Sequence, residues 1–493
     1  MKPPNLIMAL IDDFGWFGGG WQGNELAQTP FLDTLVREES LILERHYTYK
    51  FCSPSRRSFL TGRFPPHSGQ DNGPDATIDY RMQTIAELLK CEANYVTIAS
   101  GKWHGGHFSI SQIPHARGFD ESFGYFNGKQ DHFFHYDSED MCLGIDGSYN
   151  VTDLWDTTKP TNPNEYSGQF GDYLFTSRVL QAISKNSLRN TSNMQPFFIY
   201  WAMQIAHDPM QAPISLPNTP DPIEYAFATL ADQAIENVTT KLKELEQWNN
   251  TLFVFSSDNG GPAFSDQKAA SNFPLRGGKY GLFEGGIRAI AFLSGGFLPL
   301  HKRGQIHYAP IHICDWYATF GALAGISLIH RNQDYDESIP PLDSINQWPA
   351  LIATNDEILL SYVNRTLFIA NQTIIHGDHK LIATDPGDAR WTGPLYPQVN
   401  ATGPKSIMCS QLSPCLFNVK HDPSETSDLS QFEPHLLATL NATLANLMTG
   451  VFQSIPDPRH NVSQEAVCNA TARSGGVLTP GDYYTSSSIN IRC

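Results

Sequence analysis

The stretch Cys52-Ser53-Pro54-Ser55-Arg56-Arg57-Ser58-Phe59-Leu60-Thr61-Gly62-Arg63 places two fork-shaped cations within five residues of a sulfur nucleophile. Pro54 suits the first turn of a helix and Gly62 the position just past its end, so the spacing predicts a helix opening at Cys52. Unpaired N–H groups and the macrodipole at that end favour an anion. One of the two arginines can turn back toward the same spot and grip an anion through two donors. A lone Cys-Ser-Pro would read as a buried cysteine near a helix cap. A second chemical reading is a low-pKa thiolate nucleophile, but no Cys–His signature lies nearby in sequence.

Other stretches carry complementary chemistry. Asp12, Asp13, Asp258 and Asn259 supply three carboxylates and an amide. These hard oxygen ligands suit Ca²⁺ or Mg²⁺ and not Zn²⁺. Taken singly, Asp-Asp caps a loop and Asp-Asn-Gly makes a turn; together, at the ends of strands, they make a metal set. Gly101-Lys102-Trp103-His104 puts a cation and an imidazole on one side of an extended segment. His207 follows an apolar run, and Lys279 lies in the glycine-rich Pro274-Leu275-Arg276-Gly277-Gly278-Lys279-Tyr280. A Lys-x-His pair or a loop lysine on its own is ordinarily a solvated surface feature.

The elements that must position these groups alternate. Asn5 to Ile11 is a near-continuous apolar run, as for a central strand buried on both faces, and it ends at Asp12-Asp13. The spacing predicts strands over Tyr95 to Ala99, Pro196 to Ala202, Thr251 to Ser256 and Ile287 to Leu293. Helices are expected over Thr84 to Lys90, Tyr173 to Ile183 and Glu224 to Trp248, the last with apolar residues recurring at three and four. Thr34 to Leu43 reads as helical at its start, and Gly118 to Pro163 as rim loops. Strand, loop and helix repeated in this way predict a doubly wound, largely parallel α/β sheet with helices on both faces. Ligands in such sheets bind beyond the carboxyl ends of the strands, where Asp12-Asp13, Lys102-His104, His207 and Asp258-Asn259 all fall. Beyond Pro340-Pro341-Leu342-Asp343, short β-like runs cover Glu357 to Tyr362, Leu367 to Ala370, Thr373 to His376, His379 to Ile382 and Cys415 to Val419. With a helix from Pro434 to Leu447 they predict a smaller antiparallel domain. The expected division is 1–355 and 356–493.

A chain of 493 residues exceeds one ordinary core, and 41% hydrophobic with 17% charged residues describes a packed globular protein. A net charge of −17 argues against a nucleic-acid partner or an anionic membrane surface. No apolar run of 18 residues exists, so no transmembrane segment is expected. Ten Asn-x-Ser/Thr sequons, at Asn150, Asn190, Asn237, Asn249, Asn364, Asn371, Asn400, Asn441, Asn461 and Asn469, favour a glycosylated protein of the secretory pathway, lysosomal or extracellular. That reading implies a signal peptide missing from this sequence; the alternative is a cytosolic chain with chance sequons. Eight cysteines are too few for a disulfide scaffold at this length. Cys409 with Cys415, and Cys468 with Cys493, are the expected pairs.

Cys52-x-Pro54-Ser55-Arg56 followed by Leu60-Thr61-Gly62-Arg63 resembles the signature of the type I sulfatases, and the resemblance runs from Asp12 to about Pro423. It implies an alkaline-phosphatase-like fold and a sulfuric ester hydrolase of arylsulfatase type. It implies that a formylglycine-generating enzyme oxidises Cys52 to formylglycine, whose hydrate is the nucleophile. One Ca²⁺ would be held by Asp12, Asp13, Asp258, Asn259 and the residue derived from Cys52. Lys102, Lys279 and His207 match the family's substrate-binding positions; Arg56 would hold the hydrate and the metal ligands, and His104 would take a proton from the remaining hydroxyl. His207, protonated, would help the leaving alcohol depart, which implies an acidic optimum. Pro-Leu-Arg-Gly-x-Lys, Glu284-Gly285-Gly286, Ile311 to Trp316 and Pro341-Leu342-Asp343 lean toward the arylsulfatase B (N-acetylgalactosamine-4-sulfatase) type. The implied substrate is a sulfated carbohydrate, N-acetylgalactosamine 4-sulfate in glycosaminoglycans first, or an aryl sulfate. A phosphoesterase or phosphonate hydrolase of the same superfamily, and a silent glycan-binding homologue, are the alternatives. The first would show a Thr or Ser nucleophile with a two-metal set, and the second would have lost Cys52 or a ligand.

Overall fold

The computed structural model describes residues 2–137, 142, 150–162, 164–188, 195–213, 223–264, 270–328 and 338–485. Cys493 and the sequon asparagine at 190 lie outside them. Among the described residues, twelve strands fall in the first part of the chain. They are β1 (Asn5–Ile11), β2 (Leu41–Leu43), β3 (His46–Tyr47), β4 (Val96–Lys102), β5 (Glu121–Tyr125) and β6 (Trp155–Asp156). β7 (Lys159–Pro160), β8 (Phe197–Ala202), β9 (Thr251–Ser257), β10 (Ala291–Ser294), β11 (Gln305–His307) and β12 (Ile311–His312) complete them.

Ten strands form one sheet in the order β11-β2-β10-β9-β1-β8-β4-β5-β6-β7. From β9 to β5 every neighbour is parallel, with Met8 opposite both Tyr200 and Val254. Alternation along β1 explains its unbroken apolar run. Leu6, Met8 and Leu10 enter a core shared with Phe59 and Leu60 of the Cys52–Thr61 helix and with the Ile85–Ala93 and Asp315–Leu323 helices. Ile7, Ala9 and Ile11 enter the opposite core, closed by the Gly171–Ser187 and Ile223–Glu244 helices. Each fully buried Leu or Ile here is worth about 1.5–3 kcal/mol of transfer free energy. The doubly wound expectation therefore holds, with helices on both faces.

A second sheet, β13 (Thr366–Ala370), β14 (Thr373–His376), β15 (His379–Ile382) and β16 (Cys415–Asn418), is antiparallel throughout. The Pro434–Met448 helix covers it, and their shared core includes Leu282, Phe283 and Ile287. The last described stretch returns to the large sheet. Trp155 Nε1 donates to Leu478 O at 2.6 Å, and Ile110 N to Asp482 Oδ1 at 2.7 Å.

Four sequence expectations are corrected. Glu357 to Tyr362 belongs to the Asp356–Val363 helix, because the Asn355 side chain caps it by accepting from Ile358 N; a short apolar run fits either element. Glu284–Ile287 is a helical turn, and the strand expected from Ile287 starts only at Ala291. Within Gly118 to Pro163, β5 is a full member of the sheet, hidden by its Gly124. Cys468 pairs with Cys142, 326 residues away, a closure no local spacing announces. Cys409–Cys415 forms as expected, while Cys52 and Cys314 are free. Among the described residues no helix is long and apolar enough to cross a membrane.

Candidate active site

The predicted residues come from four strand ends, one helix and one loop, and the structure brings them into one buried volume. Asp12 and Asp13 follow β1, Lys102 ends β4 with His104 just beyond, His207 follows β8, and Asp258-Asn259 follow β9. Close backbone approach makes this crowding achievable. A Cβ on Gly260 would lie 1.8 Å from Gly285 O, and one on Gly101, at φ 101°, would lie 1.8 Å from Ala202 O. Asp13 (φ 60°) and His104 (φ 48°) occupy the left-handed region without being glycine, a cost that persists where surrounding contacts over-determine the backbone.

The Cys52–Thr61 helix is buried along its whole length and opens at Cys52, with Gly62 at φ 68° closing it. Ligating atoms of Asp12, Asp13, Cys52 and His207 all lie within 4.8 Å of one another. Cys52 Sγ is 3.5 Å from Asp12 Oδ1. Burial, then the Asp12 charge, pushes the Cys52 thiol well up, against the partial relief of Lys102 and Lys279. Burial of the sulfur therefore works against the low-pKa thiolate reading.

Three cations face three carboxylates. Lys102 Nζ is 2.6 Å from Asp12 Oδ2. Lys279 Nζ is 2.7 Å from each oxygen of Asp13 and 3.1 Å from His207 Nε2. Arg56 donates twice to Asp258 Oδ2, at 3.0 and 2.7 Å, and lies 3.5 Å from Asp12. Arg57 points away, onto Asp71 and the Gly69 and Thr77 carbonyls. Burial works against the ammonium charges, but Asp12 beside Lys102 and Asp13 beside Lys279 more than restore them. Burial pushes the Asp12 carboxyl up, and Lys102, Arg56 and Lys279 together bring it below its ordinary value. Asp13, pushed up by burial and by its acidic neighbours Asp12 and Asp258 despite Lys279, reaches about 6.

The donor set fits a hard cation. Asp258 Oδ1 accepts from Asp13 N, and Asn259 Nδ2 donates to Asp13 Oδ1 at 2.7 Å. Asn259 Oδ1 is left buried with no partner, an arrangement that costs free energy unless something polar meets it. Both ring nitrogens of buried His104 are likewise unpartnered.

His207 departs from expectation. Its Nδ1 lies 2.8 Å from Asp208 O, so that nitrogen carries the proton and Nε2 accepts from Lys279. Burial, Lys279 and Lys102 hold its pKa well below 6.5. A protonated His207 is thus corrected to a neutral ring, with Lys279 Nζ donating to its Nε2. Burial and the adjacent cations keep His104 neutral too.

Sequence reasoning missed several supports. Asp208, held 3.4 Å from Lys129, fixes the His207 ring; its signal was only its place after His207. Tyr200, in mid-strand, sets its hydroxyl 3.4 Å from Arg56 Nη1. Lys380 of β15 and the loops that follow β15 and β16 clamp the loop that carries Lys279. Arg276 donates to Ala389 O and Glu425 O, Gly277 N to Arg390 O, and Leu282 N to Pro386 O. Lys380 pairs with Glu284 and Glu425, at 2.9 and 2.6 Å, and donates to Leu282 O.

The family model described as Sulfatase matches residues 4–326. Arylsulfatase J of Mus musculus is 32% identical, covering 93% of this chain and 78% of its own. The N-acetylgalactosamine-6-sulfatase of Homo sapiens is 28% identical, covering 97% and 92%. The crystal structure of Ps i-CgsB in complex with k-i-k-neocarrahexaose superposes with a TM-score of 0.74 at 26% identity, covering 96% and 98%. The mixed, mostly parallel sheet with its separate antiparallel sheet is alkaline-phosphatase-like, as in these neighbours.

Proposed function

From the premise that this chain belongs to the sulfatase family and is a sulfuric ester hydrolase, we propose that it removes sulfate from a sulfated sugar of the N-acetylgalactosamine type. The observation that carries the reading is the convergence of Cys52, Asp12, Asp13 and His207 between two buried lysines. A site that holds a sulfate oxyanion needs cations that are fixed and shielded from water, where each is worth far more than at a surface.

Asp12, Asp13, Asp258 and Asn259, with the residue derived from Cys52, would hold one Ca²⁺. The ion would supply charge against the sulfate oxygens. Formylglycine from Cys52, made by a formylglycine-generating enzyme, would supply a hydrated aldehyde as nucleophile. The chain's own groups do the rest. Lys102 and Lys279 draw in the sulfate oxygens. Arg56 keeps Asp258 and Asp12 aimed, since both of its nitrogens on Asp258 are committed. Lys279 Nζ holds a proton that the departing alcohol can take, and the neutral His207 Nε2 steers it. Neutral His104 has its unprotonated ring nitrogen available to accept a proton from the nucleophile.

The sequons support a secreted glycoprotein, lysosomal or extracellular. Asn150, Asn237, Asn249, Asn364, Asn371, Asn400, Asn461 and Asn469 are exposed, and Asn441 is half-buried. Sulfate release from 4- and 6-sulfated N-acetylgalactosamine disaccharides tests the assignment, with the 4-sulfate expected to turn over faster. Release from neither, with turnover of an aryl sulfate, would discard the sugar. Absence of any sulfate release, with phosphate release instead, would replace the reading with a phosphoesterase. Mass spectrometry of the Cys52 peptide from active enzyme is expected to show formylglycine, and wholly unmodified cysteine there would remove that nucleophile from the scheme.

A further inference from the structure

The residue after Lys279 departs from expectation in two ways. Tyr280 leaves 55% of its surface exposed, and its backbone sits at φ 76°, where a bulky side chain is a true outlier. The strain is imposed by contacts on either side of it. Tyr280 N donates to Lys50 O at 3.1 Å, Gly281 N to Gly278 O at 2.9 Å, and Leu282 N to Pro386 O at 2.7 Å. Such positions cluster where a ligand is clamped. An arrangement that served packing alone would bury the ring, and this one leaves it open.

Its surroundings say what it faces. The Tyr280 ring lies 5.5 Å from Phe51, tilted by 58°, and Phe51 is the residue that precedes Cys52 and caps its helix. Lys279 Nζ is 5.4 Å from the Tyr280 ring centre, and Lys50 Nζ is 5.3 Å from that of Phe51. The Tyr280 hydroxyl lies within the fields of Lys279, Asp13, Cys52 and Asp208. A half-exposed aromatic ring therefore stands beside Lys279 and the nucleophile's own helix cap.

We propose that Tyr280, backed by Phe51, is the stacking platform for the pyranose ring that bears the sulfate ester. A pyranose presents a face of C–H bonds to the electron-rich face of an aromatic ring, a contact with defined geometry and no charge requirement. Lys102 and Lys279 recognise the sulfate, which any sulfate ester offers; Tyr280 recognises the ring behind it, which an acyclic alkyl sulfate lacks. This proposal rests on the sugar-sulfatase reading and adds the specificity determinant to it.

The test is equilibrium binding of N-acetylgalactosamine 4-sulfate, by calorimetry, to the full chain carrying Cys52→Ala, with Ca²⁺ supplied. Tyr280→Asn removes the ring while asparagine tolerates the left-handed backbone; Tyr280→Phe keeps the ring and removes the hydroxyl. The expected result is a rise in Kd of about tenfold for Tyr280→Asn and less than about twofold for Tyr280→Phe. An unchanged Kd in Tyr280→Asn overturns the platform. Equal losses in both variants overturn it as well, because the hydroxyl would then be the contact. No binding to the Tyr280-intact protein also overturns it. Sulfate release by the unsubstituted enzyme is read separately, so failure of the platform and failure of the sulfatase reading give different results.

Discussion

Replacing Asp172 by Asn should make the protein's stability less sensitive to alkaline pH. Asp172, at the start of the Gly171–Ser187 helix, is 3% exposed. Its Oδ1 accepts from Gln204 N at 2.9 Å, while Oδ2 has no hydrogen-bond partner and lies 3.9 Å from His132 Nδ1. His132 Nε2, 3.2 Å from His207 O, must carry that ring's proton, which leaves Nδ1 bare toward Asp172. A protonated Oδ2 suits that arrangement and an ionised one does not. Burial pushes the carboxyl from 3.8 to about 7, with the Gln204 and Ile205 N–H groups pulling the other way and Asp12 adding to the rise. A carboxyl raised in the folded state contributes stability that is fully present below the unfolded pKa and is lost as pH rises through the folded one. Between pH 5 and pH 8 that loss integrates to about 2.5 kcal/mol. Asn keeps the Oδ1 acceptor and offers an N–H to His132 Nδ1, without titrating. Urea denaturation at both pH values is the assay, and comparison with the parent cancels every other buried group. The variant should gain about 2.5 kcal/mol on the parent from pH 5 to pH 8. Parallel behaviour of the two proteins would show Asp172 ionised throughout and refute the reasoning.

Asp258→Ala strands Arg56 in a buried site, so it should cost about 3–5 kcal/mol of stability as well as Ca²⁺ binding; calorimetric titration with Ca²⁺ and a denaturant melt read the two effects separately. Lys279→Ala should lower kcat for a sugar sulfate by at least about 100-fold, and far less for an activated aryl sulfate whose leaving group needs no proton. Lys380→Met leaves Glu284 and Glu425 facing each other, and burial already lifts Glu425 to about 7. The sign follows that raised pKa: the variant should be destabilised more at pH 8 than at pH 5, where Glu425 is protonated, as pH-dependent unfolding would show. Cys468→Ser should release the tail from the large sheet and cost about 2–5 kcal/mol, visible as faster proteolytic trimming beyond residue 454.

The large sheet was legible because its strands are buried on both faces and end abruptly in Asp12-Asp13 and Asp258-Asn259. The Cys52 helix was legible from Pro54 and Gly62 alone. What stayed hidden depended on partners distant in sequence. Asn355 turned a β-like run into a helix through one side-chain cap. Cys142 reached Cys468 only once the tail had come back. His207 looked like an acid in sequence, yet burial beside Lys102 and Lys279 keeps it neutral. Exposed, polar-edged Tyr280 carried no local signal, since its backbone conformation is set by Lys50 and Pro386 from distant parts of the chain.

The place of β1 in the middle of the sheet sets a clock. Its neighbours are β8 and β9, and the latter ends at Ser257. The Cys52–Thr61 helix packs on that same surface, with Phe59 stacked 5.6 Å from Tyr200 of β8. As the chain emerges from a ribosome, Cys52 must wait roughly 200 residues for the surface that will bury it, about 10–40 s at ordinary synthesis rates. The formylglycine-generating enzyme proposed above would have that interval in which to bind an extended segment. Afterwards the thiol is 2% exposed at the start of a helix with no accessible face, so on the proposed chemistry chain elongation and maturation of Cys52 would compete. Synonymous changes that hurry translation between codons 60 and 257 would then lower the active fraction without altering a single residue.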